Sequence, residues 1–286
     1  MTNEKKPGSP KDSHYARLRR TFRDNAAGPA TQHANRPKPR TFASDLPADG
    51  LVRLYGLHTV RAALDNPARA IRRLLATRNA LTRLELSEPF SFSFPVEIVD
   101  PRDLDKVLGS DAVHQGALIE AEPLKAKKLS ALGDSNLILV LDQVTDPHNV
   151  GAIMRSAVAF GAGALVTTSR HSPAESGVLA KSASGALEHI DHIEVRNLSD
   201  ALQELQEAGF QTIGLDSEGP AELETTFSAP RIALVLGAEG KGLRQKTRQT
   251  VNDLARLDMP GAIRSLNVSN AAAIALYAAG KHLTAK

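Results

Sequence analysis

The sequence predicts an α/β protein made of two successive units, and three observations carry that prediction. Leu137–Leu141 is a continuous apolar run, the pattern of a strand covered on both faces. Further apolar runs alternate with amphipathic stretches such as Val150–Phe160, which points to a mostly parallel sheet. A separate set of short strands and helices precedes them, joined by a lysine-bearing connector from Glu122 to Asp134.

Taken in order, residues 1–48 are rich in Pro, Gly, Ser, Asn, Lys and Arg, with isolated apolar residues. Such a segment cannot bury enough surface to offset its ordering entropy, so it is expected to be a basic tail, disordered when free. It holds ten Lys/Arg against four Asp/Glu, a net of +6, so with +3 overall the remainder carries −3. A basic arm suits nucleic acid, with Arg19–Arg20 on phosphate and Tyr15 and Phe22 on bases, or it is a solubilising leader.

The first unit, residues 51–122, reads as strand Leu51–Tyr55, helix His58–Leu64, strand Ile71–Ala76, helix Leu81–Leu86 and strand Val96–Val99. Helix Pro101–Leu108, with Pro in its first turn, and strand Ala117–Ala121 complete it. The linker spans 123–134, and the second unit spans 135–286. There the order is strand Leu137–Leu141, helix Val150–Phe160 closed by Gly161, strand Ala164–Thr168, a helix around Gly177–Ser184 and strand Ile193–Val195. Helix Asp200–Ala208, strand Thr212–Leu215, strand Arg231–Leu236, a helix after Gly242, strand Leu254–Met259 and helix Val268–His282 follow.

Composition removes several function classes. The 286 residues contain no Cys, which excludes disulfides and thiolate metal sites, and no metal is expected. No stretch approaches 18 apolar residues and no apolar leader opens the chain, so a cytoplasmic protein is expected and the Asn-x-Ser sequons at Asn197 and Asn267 are chance matches. Apolar residues make up 42% but aromatics only 4%, so the core is expected to be aliphatic and rich in Ala.

Three motifs carry chemistry. Asp142-Gln-Val-Thr-Asp-Pro-His-Asn149-Val-Gly151-Ala-Ile-Met-Arg155 sits at a strand's carboxyl end and opens a helix, where ligands bind in open α/β sheets. Pro147 and Asn149 suit a turn and an N-cap, and Gly151 admits a close neighbour. Arg155 is either a ligand-facing cation or an ordinary solvated helix residue. Leu236-Gly237-Ala-Glu239-Gly-Lys-Gly242 suggests a dinucleotide loop, but Glu239 stands where the middle glycine would be and would repel a pyrophosphate. The loop therefore offers an acid to a cationic ligand or an Arg, or it is a glycine-rich turn with an incidental Glu. In Met259-Pro-Gly261-Ala-Ile-Arg-Ser265-Leu-Asn267-Val-Ser269, Ser265 and Asn267 are good helix caps, and the small-residue helix beyond them permits close packing within the chain or across a subunit interface.

Together and in this order, the motifs resemble the SpoU/TrmH family of the SPOUT methyltransferase superfamily. The matching stretches are Asn149-x-Gly151-x-x-x-Arg155, Gly237-x-Glu239-x-x-Gly242, and Met259-x-Gly261 with Ser265-Leu-Asn267-Val-Ser269. Tyr55-Gly-Leu-His58, Ala62-Ala-Leu64 and His114-Gln-Gly116 are similar to the N-terminal module of its RlmB-type branch, which methylates a guanosine 2′-oxygen in the peptidyl-transferase loop of 23S rRNA. The resemblance implies a trefoil knot in the C-terminal domain, an L30e/L7Ae-like RNA-binding first unit and a homodimer whose subunits complete each other's sites. It implies S-adenosylmethionine as cofactor, held by Gly237, Leu257, Met259, Gly261 and Leu266, with Leu215 and Asp216 as further contacts. Asn149, Arg155, Glu239, Ser265 and Asn267 become the catalytic set. A guanidinium holds its proton under physiological conditions, so Arg155 is expected to stabilise a developing 2′-oxyanion or a neighbouring phosphate rather than act as base. Glu239 would orient Arg155 or accept the proton through water. A tRNA ribose methyltransferase and a non-catalytic RNA-binding assembly protein are the competing expectations.

Overall fold

Two sheets carry residues 50–285, the part of the chain that the computed structural model describes. The expectations for residues 1–48 lie outside the described residues. The first sheet has the order β1-β4-β2-β3, formed by β1 (Val52–Tyr55), β2 (Ile71–Ala76), β3 (Val96–Ile98) and β4 (Ala117–Ala121). Strand β4 runs antiparallel to both β1 and β2, while β3 joins β2 in parallel.

Three helices accompany this sheet: α1 (Leu57–Asp65), α2 (Arg78–Arg83) and α3 (Pro101–Leu108). Pro101 opens α3, where its missing N–H costs no helix bond, and Asp100 N–H donates to Asp103 Oδ2 at 3.4 Å. Helix α2 starts three residues before the expected Leu81. Thr77 Oγ1 accepts from Ala80 N–H at 3.1 Å and caps it there, and Glu85, at φ +55°, stops the helix short of Leu86.

The second sheet is parallel throughout, in the order β7-β6-β5-β10-β8-β11-β9. Its strands are β5 (Leu137–Asp142), β6 (Ala164–Thr168), β7 (Asp191–Val195), β8 (Gln211–Leu215), β9 (Ala221–Glu222), β10 (Ile232–Gly237) and β11 (Asp253–Arg256). β5 is buried along its whole length, as its unbroken apolar run requires. Strand β11 ends at Arg256 rather than Met259, and the two-residue β9 beside it is too short to leave a periodic signal.

Helices α4 (Pro147–Ala159), α5 (Gly177–Ala183), α6 (Leu198–Glu207), α7 (Leu223–Thr226), α8 (Gln245–Thr250) and α9 (Val268–Thr284) connect and cover the strands. On α9, Ala272, Ala275, Leu276 and Ala279 are fully buried, and α9 packs on α4 and β10. Their spacing by three and four residues makes one helical face, and its small side chains let the backbones come close. Leu198, Leu202 and Leu205 of α6 cover the opposite face of the sheet. Far from being a free connector, the segment 123–134 buries Leu129 in a turn of 3-10 helix, and Lys127 bridges to Ile193 beside β7.

Candidate active site

The three motifs follow the carboxyl ends of β5, β10 and β11, which with β8 are consecutive neighbours in the second sheet. β5 ends in Asp142, whose side chain is fully buried. Its carboxylate accepts from Arg244 N–H at 3.0 Å and from Arg244 Nε at 2.6 Å, pinning the exit of the glycine loop onto the end of β5. Sequence reasoning missed this pair; the signal was an acid closing a wholly apolar run, with an Arg two residues beyond Gly242.

Within that loop, Gly242 N–H donates to Ala238 O at 2.8 Å, and Gly240 and Gly242 adopt φ of +76° and +64°. The tight closure leaves Glu239 exposed at the tip. A side chain at Gly237 would sit 2.1 Å from the Gly242 carbonyl carbon, so this position has no room for a Cβ.

Helix α4 begins at Pro147, three residues earlier than expected, because Asp146 is the cap: its Oδ1 accepts from His148 N–H at 3.0 Å. Asn149 is therefore in the first turn rather than at the cap, and its Oδ1 accepts from Asn267 Nδ2 at 3.1 Å. Asn267 caps α9, with Oδ1 accepting from Ser269 N–H at 2.8 Å and Ser269 Oγ at 2.6 Å. One amide thus joins the first motif to the third. Replacing Asn267 by Ala removes the cap and this bridge together, and the expected loss is about 1–2 kcal/mol of unfolding free energy, read by urea denaturation.

Gly151 serves packing rather than a ligand: a Cβ there would lie 2.4 Å from the Leu179 carbonyl oxygen and 2.6 Å from Ser182 Cβ, so α4 and α5 touch at this point. Arg155, six residues after Asn149, points about 120° away from it around the helix. It is exposed and makes no hydrogen bond or ion pair among the described residues, and neither does Glu239. A single chain therefore does not pair these two side chains.

The remaining candidates line the loops after β8 and β11. Leu215 and Leu257 are half-buried against the main core. The Asp216 carboxylate is already engaged by Arg248 and by Glu218 N–H. Met259 is half-buried, and its carbonyl accepts from Arg264 Nη1 at 3.1 Å. Gly261 and Ser265 are exposed, as are Ile263 at 73% and Leu266 at 40%. Apolar side chains presented to solvent beside close-set backbone suit a ligand with an apolar ring and several hydrogen-bonding groups, and Glu239 suits one with a positive charge. This donor set fits a sulfonium nucleoside better than a pyrophosphate. A cavity of about 760 Å³ lies elsewhere, between the two sheets' helices and loops.

Comparison with known proteins matches the chain to two family models. The family model described as the SpoU rRNA Methylase family matches residues 136–277, and that described as RNA 2'-O ribose methyltransferase substrate binding matches residues 53–126. The chain is similar to the 23S rRNA (guanosine-2'-O-)-methyltransferase RlmB of Vibrio vulnificus, 36% identical over 79% of this chain and 95% of that protein. The RlmB of Ralstonia nicotianae is 39% identical over 79% of this chain and 94% of its own length. Among solved structures, the SpoU methyltransferase AviRb from Streptomyces viridochromogenes in complex with AdoMet aligns with a TM-score of 0.67 at 23% identity, covering 82% of this chain and 91% of that one. The AdoMet-bound rRNA methyltransferase from Sinorhizobium meliloti aligns with a TM-score of 0.69 at 23% identity, covering 82% of this chain and 88% of its own. Those two likenesses establish the fold.

Proposed function

The chain belongs to the SpoU rRNA methylase family, and from that membership we propose that it transfers the methyl group of S-adenosylmethionine to the ribose 2′-oxygen of a guanosine in 23S rRNA, within the peptidyl-transferase loop. The observation that carries this reading is that similarity to the RlmB enzymes runs through both the motif-bearing region and the 53–126 module. Residues 51–122 are the RNA-binding domain, of L30e/L7Ae-like fold, and 135–286 the catalytic one. The reaction belongs to the cytoplasm, where ribosomal RNA is assembled. Mapping 2′-O-methyl marks on large-subunit rRNA from cells with and without the protein tests it: one guanosine mark is expected to vanish, and an unchanged map overturns the reading.

When bound, S-adenosylmethionine supplies a methyl group made electrophilic by its sulfonium. Gly237, Met259, Gly261 and Leu266 would hold it through backbone groups, with Leu215 and Leu257 as apolar walls and the Asp216 main chain as a further contact. The chain's own task lies with the ribose hydroxyl, a weak acid whose proton must be shared as its oxygen becomes a nucleophile. Arg155 stabilises the developing oxyanion, Glu239 orients Arg155 or takes the proton through water, and Asn149, Ser265 and Asn267 set the loops that orient the substrate. The order of β8, β10 and β11 in the sheet, with α9 returning to α4, supports a trefoil knot formed by the loops after β10 and β11.

The separation of Arg155 from Asn149 around α4 supports a homodimer in which one subunit completes its partner's site. So does an apolar patch: Phe160 is 37%, Ile274 45% and Tyr277 53% exposed, with the Phe160 and Tyr277 rings edge to face at 5.8 Å. Ile274→Glu is expected to give a monomer in sedimentation velocity, with turnover lost in proportion. A dimeric variant of full activity removes this face from the interface.

A further inference from the structure

Arg69 is the most enclosed cation among the described residues, with its side chain fully buried. It belongs to the first unit, in the turn between α1 and β2, yet both its carboxylate partners belong to the second. Nη1 meets Glu175 Oε1 and Nη2 meets Glu188 Oε1, each at 2.6 Å, and Nε reaches Glu188 Oε2 at 3.2 Å. A fourth contact, Nη1 to the Glu122 carbonyl at 3.0 Å, ties in the last residue of the first unit. The two acids grip further backbone and side-chain groups of the first unit and its exit. Glu188 Oε2 accepts from Asn66 Nδ2 at 2.6 Å, and Glu175 Oε2 accepts from Leu124 N–H at 2.8 Å.

The surrounding contact is tight as well. A Cβ at Gly177 would fall 2.4 Å from the Arg53 carbonyl oxygen and 2.6 Å from the Tyr55 ring. Thr59 Oγ1 donates to the Ala180 carbonyl at 3.2 Å, and Lys181 Nζ donates to Gln115 Oε1 at 2.9 Å. Apolar side chains form one continuous cluster from Val52, Leu54 and Val60 to Leu179, Ala180 and Ala183. Motion between domains is the default where the interface is small and polar. Here an apolar core shared by both units accompanies a buried double ion pair whose two acids line the cavity of about 760 Å³, and such a pair is costly to break by removing one partner.

We propose that Arg69 is a positioning residue: with Glu175 and Glu188 it locks the 51–122 unit to the catalytic domain as one rigid body, so that RNA held by the first is delivered at a fixed offset to the motif loops. The substrate is then selected as a pair, an RNA element on one unit and a ribose at a set distance from it. This rests on the reading of residues 51–122 as the RNA-binding part. Glu175 also anchors the segment after β6, so the clamp reaches the same sheet end as the site.

The chain contains no Cys, so spin labels at Arg102→Cys and Glu204→Cys, both exposed helix positions, report the inter-unit distance within one chain when the labelled protein is diluted into an excess of unlabelled chain. In full-length protein the distance distribution is expected to be narrow. Arg69→Met strands two buried acids and can unfold the chain, so Glu188→Gln, which keeps one acceptor oxygen and sets an NH2 donor against the donors on the other side, is measured in parallel. Expected for Glu188→Gln are a distribution broadened at least about twofold, a KM for the rRNA fragment raised about tenfold, kcat and cofactor Kd within about twofold, and methylation spreading to neighbouring nucleotides. A broad distribution in the parent protein overturns the proposal, as does an unchanged KM and unchanged site choice in Glu188→Gln. Should the parent protein methylate no RNA, the proposed function fails, while the distance measurement alone still decides the clamp.

Discussion

Arg155→Ala is expected to lower kcat about a thousandfold, the size of effect seen when a single oxyanion-stabilising donor is removed. The same change should move unfolding free energy by less than about 0.5 kcal/mol, since truncations of exposed, unpartnered side chains rarely do more. Arg155 is exposed on α4 and has no hydrogen bond or ion pair among the described residues. A catalytic loss without a stability loss is therefore the signature of a group reserved for substrate. Arg155→Lys separates the two ways the side chain could act. Lysine keeps the charge but not the planar fork, so an intermediate loss of about ten- to a hundredfold is expected if bidentate placement matters. Near-native turnover in the Lys variant would mean that charge alone suffices.

Gly237→Ala is expected to abolish detectable cofactor binding in calorimetry and to destabilise the fold by about 1–3 kcal/mol, the range for overpacking a well-packed site. The new Cβ would be 2.1 Å from the Gly242 carbonyl carbon and 2.3 Å from Leu243 N, backbone atoms that no rotamer change can move. β10 cannot yield, because it is paired on both sides, to β5 and β8. The strain thus falls on loop 238–243, which Asp142 holds through Arg244. Gly261→Ala is the control: a Cβ at that position would have nothing within 4 Å, so stability should change by less than about 0.5 kcal/mol.

How much of this could be read in the sequence differs from element to element. β2, α3, β4 and β6 have the expected bounds, because each is a short apolar run or amphipathic turn with a clear start and stop. Helix starts are harder to read. Asp146 and Thr77 are the caps of α4 and α2, and each lies four residues before the periodic stretch that announces its helix. Capping depends on which side-chain oxygen meets which N–H, and several neighbouring polar residues offer one.

The site shows a similar split. The motif residues stand out as a set, and strand order explains why: β5, β8, β10 and β11 are neighbours in the sheet, so loops far apart in sequence open on one edge. The Asn149–Asn267 contact spans 118 residues, and no local pattern encodes it. Nor could spacing distinguish the two uses of glycine, helix contact at Gly151 and loop closure at Gly237. The double clamp on Arg69 is equally silent, since its three charged members lie in a turn, a loop and a 3-10 helix without periodicity.

Methyl transfer by the purified protein tests the central claim most directly. Full-length protein is incubated with S-adenosylmethionine carrying a labelled methyl group and an isolated peptidyl-transferase-loop fragment of 23S rRNA, and the product is digested with alkali. The expected result is label in an alkali-resistant dinucleotide whose 5′ residue is guanosine, because a 2′-O-methyl group blocks cleavage at that bond alone. Label on a base, label released as mononucleotide, or no transfer to this fragment would contradict it.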